Sequence, residues 1–127
     1  MVLVDSSVWI AYFKGTIPAQ FLHTLIDTNT ICINDLILAE LIPSIIHHKE
    51  FELKDLLLTI TNIPLKADWN EIIEMQTVNL KNGINNVGIA DLLIAQHVKS
   101  NDLSLFSLDR HFQLMSPLHN FKLCNPS

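Results

Sequence analysis

Short apolar runs alternate along the chain with longer stretches in which apolar residues recur three and four positions apart. The short runs predict buried β-strands, and the longer stretches predict amphipathic helices. The predicted strands cover residues 2–4, 31–33, 62–65, 103–106 and 121–124. The predicted helices cover residues 18–27, 51–60, 89–99 and 107–114, and others begin near Ser7, after Asn34 and after Asp68.

Residues that favour helix starts and loops divide these elements from one another. Pro18 suits the first position of a helix, and Asn34 suits the N-cap. Asp68 and Glu71 have the spacing of a capping box. Residues 82–88, rich in Asn and Gly, predict a loop. Strands separated by helices predict right-handed β-α-β units, so the expected fold class is α/β, with a parallel sheet and helices on both faces.

The composition predicts one domain, covering residues 1–127, with a real hydrophobic core. Hydrophobic residues make up 49% of the chain and the mean hydropathy is +0.31, which excludes intrinsic disorder. The N-terminus lacks the basic region of a signal peptide, and the apolar stretch 36–46 is too short and too broken to cross a bilayer. Cys32 and Cys124 are expected to be reduced, so the predicted location is the cytoplasm, with no membrane partner.

Four acidic residues are difficult to explain as ordinary surface charges. Asp5 and Asp109 each follow a predicted strand, while Glu40 and Asp91 lie in very apolar helical stretches. Each also has a structural explanation that stays open. Asp5 and Asp109 could cap helices, Asp91 could favour a helix dipole, and Glu40 could lie on a narrow exposed stripe.

These four acids would converge if the first and fourth strands flank the point where the strand order reverses. Ligands bind there, at the carboxyl ends of parallel strands. Four carboxylates in one crevice cannot all stay ionised without a cation. Because all the donors are oxygens, Mg²⁺ or Mn²⁺ is the expected ion. His111 is close to Asp109 in sequence and is either a neighbour of this site or an exposed histidine.

The net charge taken alone argues against a nucleic-acid partner. The chain has 13 acidic and 8 basic residues, a net charge of −5, whereas phosphate binding usually leaves a basic excess. Assigning four acids to one metal site leaves 9 acidic against 8 basic residues. The remaining surface is then nearly neutral, so nucleic acid is not excluded, and modest RNA affinity is expected.

Four segments together resemble the PIN-domain nucleases, and among them the VapC-type toxins of bacterial and archaeal toxin–antitoxin pairs. The segments are Val4-Asp5-Ser6-Ser7, Leu38-Ala39-Glu40-Leu41, Gly88-Ile89-Ala90-Asp91-Leu92-Leu93-Ile94-Ala95 and Ser107-Leu108-Asp109-Arg110-His111-Phe112. The resemblance covers essentially the whole chain. It implies a three-layer α/β/α sandwich with sheet order 3-2-1-4-5 and a metal-dependent ribonuclease activity.

By the same resemblance, the catalytic and metal-binding residues are Asp5, Glu40, Asp91 and Asp109. Ser6 and Ser107 are supporting polar residues beside them. Ser107 stands where threonine is more usual in the family. Pro43, one turn after Glu40, is expected to end or kink its helix.

The predicted function is a Mg²⁺- or Mn²⁺-dependent endoribonuclease toxin, in which metal-activated water attacks the phosphodiester and leaves a 5′-phosphate and a 3′-hydroxyl. Lys14 and Arg110 either contact the RNA or are solvated surface charges. The expected partners are RNA, a second copy of the chain, and a cognate antitoxin whose apolar helix lies in a groove. The alternatives are a binding module that does not cut, or a PIN nuclease outside a toxin–antitoxin pair.

Overall fold

A computed structural model describes residues 1–16 and 19–124 of the chain. The strands are β1 (Val2–Val4), β2 (Ile31–Ile33), β3 (Thr61–Asn62), β4 (Ser104–Phe106) and β5 (Lys122–Leu123). The helices are α1 (Ser6–Phe13), α2 (Ala19–Asp27), α3 (Asp35–His47), α4 (Phe51–Thr59), α5 (Trp69–Lys81), α6 (Ile89–Ser100) and α7 (Arg110–His119). Within these residues, no helix has both the length and the hydropathy needed to cross a bilayer.

The strands form one parallel sheet in the order β3-β2-β1-β4-β5, which confirms the predicted order 3-2-1-4-5. Helices α1, α3 and α4 pack against one another as one group. Helices α5, α6 and α7 form a second group. The central strands are buried between them, with Leu3, Val4 and Leu105 fully buried. The predicted α/β/α sandwich is therefore confirmed, and its strand order reverses between β1 and β4.

Two predicted helix caps form as expected. The side chain of Asn34 accepts a hydrogen bond from the Ile37 amide at 2.9 Å, and this bond starts α3. Asp68 accepts one from the Glu71 amide at 3.2 Å and starts α5. The carboxylate of Glu71 instead accepts a hydrogen bond from Gln96, on α6, at 2.8 Å. The second half of the capping box is thus replaced by a contact between α5 and α6.

Several predicted boundaries were wrong. The last helix was expected to cover residues 107–114, but α7 starts at Arg110 and runs to His119. Asp109 caps this helix through a hydrogen bond from the His111 amide, which explains the later start. The third strand ends at Asn62 rather than residue 65. The predicted start of the second helix at Pro18 lies outside the described residues.

Pro43 does not end its helix, so the expectation that the helix would stop there is wrong, while the expected kink stays a prediction. Helix α3 continues through Pro43 to His47. Proline removes one backbone hydrogen bond from a helix interior. Leu41 and Ile45 are buried on either side of it, so packing of α3 against the core compensates for the lost bond.

Candidate active site

The site lies at the carboxyl ends of β1 and β4, where the strand order reverses. Asp5 follows β1 directly, and Ser107 and Asp109 follow β4. The amide of Asp5 donates a hydrogen bond to the carbonyl of Phe106 at 2.9 Å, so the two strand ends are joined at this point. Parallel pairing thus brings together residues that are about one hundred positions apart in sequence.

Two serine hydroxyls hold the carboxylate of Asp5. The hydroxyls of Ser7 and Ser107 each donate a hydrogen bond to Asp5 Oδ2 at 2.8 Å. The same two hydroxyl oxygens accept hydrogen bonds from the amides of Leu108, at 3.1 Å, and Asp109, at 3.0 Å. Asp5 is only 6% exposed, so both its position and its orientation are fixed.

Asp5 occupies the N-cap position of α1, but its side chain makes no capping hydrogen bond there. The structural explanation that Asp5 serves as a helix cap is therefore wrong. Its carboxylate faces the serines of the crevice instead. Asp109, in contrast, both caps α7 and lies in the site, because its Oδ1 accepts a hydrogen bond from the His111 amide at 2.9 Å.

Asp91, in the first turn of α6, lies opposite the start of α7. One ligand atom each from Asp91, Asp109 and His111 lie within 4.8 Å of one another. Nδ1 of His111 is 3.5 Å from Asp109 Oδ1 and 4.0 Å from Asp91 Oδ2. All three side chains are half-buried, at 30–36% exposure. A group of donors this close can share one cation.

Glu40 completes the acidic cluster from α3, with its side chain exposed at the rim. Partial desolvation raises the pKa of the Glu40 carboxyl, and the negative charges of Asp5 and Asp91 raise it further. A hydrogen bond with Ser6 opposes this rise. Partial burial and the charges of Asp109 and Asp5 raise the pKa of Asp91, opposed by His111. The four predicted acids therefore lie within electrostatic reach of one another.

The donor set fits a hard divalent cation. Raised pKa values at Glu40 and Asp91 mean that their negative charges are not fully compensated by the protein itself. Carboxylate oxygens are the ligands that Mg²⁺ and Mn²⁺ take in proteins. Asp5, Asp91 and Asp109 are the residues that could hold such an ion, with Glu40 beside them.

The other predicted residues lie around this cluster. Ser6 contacts Glu40, and Ser107 contacts Asp5. Lys14 and Glu40 line the same cavity, of about 190 Å³. Arg110 is exposed at the first position of α7, directly after Asp109.

The sequence-based assignment missed the contribution of Ser7 and left that of His111 open. Ser7 holds Asp5 together with Ser107. His111 lies near Asp91 and Asp109, not simply on the surface. Both residues stand two positions after an aspartate of the cluster, and that spacing is the signal that could have identified them.

A comparison with protein-family models matches residues 2–116 to the PIN domain. The chain belongs to the PIN-domain family. The resemblance drawn from its four motifs is thereby confirmed at the level of the family, whose members are nucleases that generally use divalent metal ions. A comparison of this PIN domain with curated proteins finds no significant match.

Several solved structures share the fold of this PIN domain. VapBC2 from Rickettsia felis, bound to a DNA fragment from its promoter, is 21% identical with a TM-score of 0.76, over 98% of each chain. FitAcB from Neisseria gonorrhoeae is 18% identical with a TM-score of 0.69, over 99% of this chain and 98% of that one. DNA-bound VapBC from Salmonella typhimurium is 18% identical with a TM-score of 0.71, over 88% and 89%.

Proposed function

We propose that this chain is a single PIN domain over residues 1–127 and acts in the cytoplasm as a divalent-metal-dependent endoribonuclease. The observation that carries the proposal is the convergence of Asp5, Glu40, Asp91 and Asp109 at the ends of β1 and β4. Carboxylates crowded together without a positive partner destabilise a fold, which supports a bound cation and a chemical role for this cluster.

In this proposal, Asp5, Asp91 and Asp109 hold Mg²⁺ or Mn²⁺. When bound there, such an ion would supply a Lewis acid for the attacking water and a counter-charge for the scissile phosphate. The hydroxyls of Ser7 and Ser107 both bind Asp5 Oδ2, so Oδ1 is the oxygen of Asp5 that would be available to an ion. Glu40 orients the water from the rim, and its raised pKa suits its carboxylate to accept a proton. Hydrolysis then leaves a 5′-phosphate and a 3′-hydroxyl.

Lys14 and Arg110 are proposed to contact RNA phosphates on either side of the cluster. Lys14 lines the cavity that also contains Glu40, and Arg110 extends from the start of α7 beside Asp109. With few basic residues in the chain, we expect modest RNA affinity that depends on the metal. Lys14→Ala and Arg110→Ala should therefore raise KM more than they lower kcat.

The nuclease proposal is tested by incubating total RNA with the purified chain in Mn²⁺ or in EDTA. Cleavage is expected only with the metal, and Asp5→Asn should abolish it while circular dichroism shows an intact fold. Glu74→Gln, an exposed acid on α5 outside the cluster, is the matched control and should cleave normally. Full activity in EDTA would overturn the proposal, and a folded chain that never cleaves RNA would favour the binding-module alternative.

We further propose that the chain is the toxin of a toxin–antitoxin pair, a role supported by the complexes that share its fold. The cavity beside Glu40 is lined by apolar side chains of α1 and α3, including Ile10, Phe13 and Leu41. An apolar antitoxin helix would lie against these residues, and a basic antitoxin side chain would reach Glu40.

This toxin role is tested first on the neighbouring reading frame, which should encode a short protein with a DNA-binding domain and an amphipathic tail. Co-expression of that protein should restore growth to cells that express the chain. Ile10→Asp, at a residue 43% exposed, should weaken the pair, whereas Leu58→Asp on the surface of α4 should not. A cleaving chain that no neighbouring protein inhibits would indicate a PIN nuclease outside such a pair.

A homodimer is proposed through an apolar stripe on α5. Trp69, Ile73 and Leu80 are 58%, 65% and 60% exposed and recur at helical spacing on one face. Exposed apolar patches of this kind mark interfaces in soluble proteins. Light scattering should give twice the chain mass at micromolar concentration, and Ile73→Lys should give a monomer. The neighbouring change Glu74→Lys should leave the dimer intact, and a monomeric wild type would contradict the proposal.

A further inference from the structure

We infer that His111 is a nitrogen ligand of the metal site and gives that site a preference for a first-row transition ion, such as Mn²⁺ or Co²⁺, over Mg²⁺. This inference rests on the proposed function, because it concerns the same cluster of acids. It goes further by naming a non-carboxylate ligand and the cation that follows from it.

The positions of the donor atoms suit a shared ion. Two ligands about 2.1 Å from one ion lie about 3.0–4.2 Å apart, depending on the angle between them. Nδ1 of His111 lies 3.5 Å from Asp109 Oδ1 and 4.0 Å from Asp91 Oδ2, within this range. Both distances are longer than a usual N–H···O hydrogen bond, so neither contact requires a proton on Nδ1, and its lone pair can face an ion.

Local structure holds His111 in place. Asp109 caps α7 by accepting a hydrogen bond from the His111 amide, which fixes His111 in the first turn of the helix. Asp91 stands in the first turn of α6. The side chain of His111 is 31% exposed, so part of its freedom is already lost before an ion binds.

The chemistry of the imidazole group determines the preference. Oxygen ligands suit Mg²⁺, whereas a neutral imidazole binds transition ions more strongly, with affinity rising from Mn²⁺ to Co²⁺. The three carboxylates of Asp5, Asp91 and Asp109 together with one imidazole therefore discriminate against Mg²⁺ more than the same carboxylates alone would. Removing the imidazole should erase this difference without removing the site.

The test reads the ligand directly on the wild-type chain. With Mn²⁺ bound, electron spin-echo envelope modulation should show coupling to a ¹⁴N nucleus. The coupling should disappear in His111→Gln and persist in His47→Gln, which changes an exposed histidine in the last turn of α3. Calorimetry should show a Co²⁺ affinity about ten-fold lower in His111→Gln, with the Mg²⁺ affinity unchanged within about two-fold.

The outcomes separate this inference from the proposed function. Mn²⁺ binding that requires Asp91 but shows no nitrogen coupling, with equal Co²⁺ affinity in His111→Gln, would overturn the role of His111 and leave the nuclease proposal standing. A wild-type chain that binds no divalent ion would overturn both. An unchanged Mg²⁺ affinity in His111→Gln shows that the variant still folds, so a loss of the nitrogen coupling there is assigned to the missing imidazole.

Discussion

Replacing Asp91 with asparagine should stabilise the metal-free fold, although it removes a residue of the proposed site. The variant keeps the size and polarity of the side chain and removes one negative charge. Partial burial raises the pKa of Asp91, and the nearby charges of Asp109 and Asp5 raise it further. The charge of Asp91 therefore opposes folding when no cation is bound.

The size of the effect follows from the geometry. Two like charges no more than 4.8 Å apart repel by at least about 3.5 kcal/mol at an effective dielectric constant of about 20. Asp91 and Asp109 are 30% and 36% exposed, so solvent screens part of this repulsion. The imidazole of His111 lies near both carboxylates and offsets a further part. The net repulsion is therefore about 1 kcal/mol. For a domain of this size, that corresponds to a Tm about 3–5 °C higher for Asp91→Asn in EDTA.

With Mn²⁺ bound, the wild type should become more stable than Asp91→Asn. Mn²⁺ at one hundred times its Kd adds about 2.7 kcal/mol to the wild type and much less to Asp91→Asn. Urea unfolding monitored by circular dichroism, in EDTA and in Mn²⁺, measures both effects, with Glu74→Gln as a control that should shift neither. A variant less stable than the wild type in EDTA, or a wild type whose stability Mn²⁺ leaves unchanged, would show that the charge of Asp91 does not oppose folding or that no ion offsets it.

Three further predictions concern residues outside the acidic cluster. Asn34→Ala removes both the cap of α3 and a buried 2.7 Å hydrogen bond to His97. It should lower the free energy of unfolding in urea by about 2–3 kcal/mol. A loss below about 0.5 kcal/mol would contradict the importance of these two hydrogen bonds. Burial lowers the pKa of His97 and His119 below the usual 6.5, so the unfolded chain binds protons more readily than the folded chain. The free energy of unfolding in EDTA should therefore fall as the pH is lowered from 7.5 to 6. A free energy of unfolding that rises over this range would be inconsistent with buried neutral histidines. Burial raises the pKa of the Cys32 thiol to about 11, so iodoacetamide should modify Cys32 at pH 8 only after unfolding, and rapid labelling of the native chain would count against its burial.

The strand order and the proximity of the four acids could be predicted because they follow from general rules. Parallel strands place their carboxyl ends at one edge, so Asp5 and Asp109 meet once β1 and β4 are neighbours. Glu40 and Asp91 stood out because each interrupts an apolar helix. Periodicity and strand order carry these signals, and both can be read without knowledge of side-chain contacts.

The start of α7 and the contribution of Ser7 could not be predicted because they depend on contacts between distant segments. Ser107 and Asp109 are both good helix caps by residue type. The hydroxyl of Ser107 donates to Asp5, on another strand, and Asp109 caps the helix. Ser7 joins this arrangement through the Leu108 amide, and its distance of about one hundred positions from that residue leaves no periodic pattern.

The most direct test of the account is to map the RNA ends that the chain produces with Mn²⁺. New 5′-phosphate and 3′-hydroxyl ends should accumulate with the wild type, stop when EDTA is added, and be missing with folded Asp5→Asn. The ends report hydrolysis by water rather than attack by the RNA's own 2′-hydroxyl. Cyclic phosphate ends, or equal cleavage by Asp5→Asn, would contradict a metal-dependent nuclease centre built on these four carboxylates.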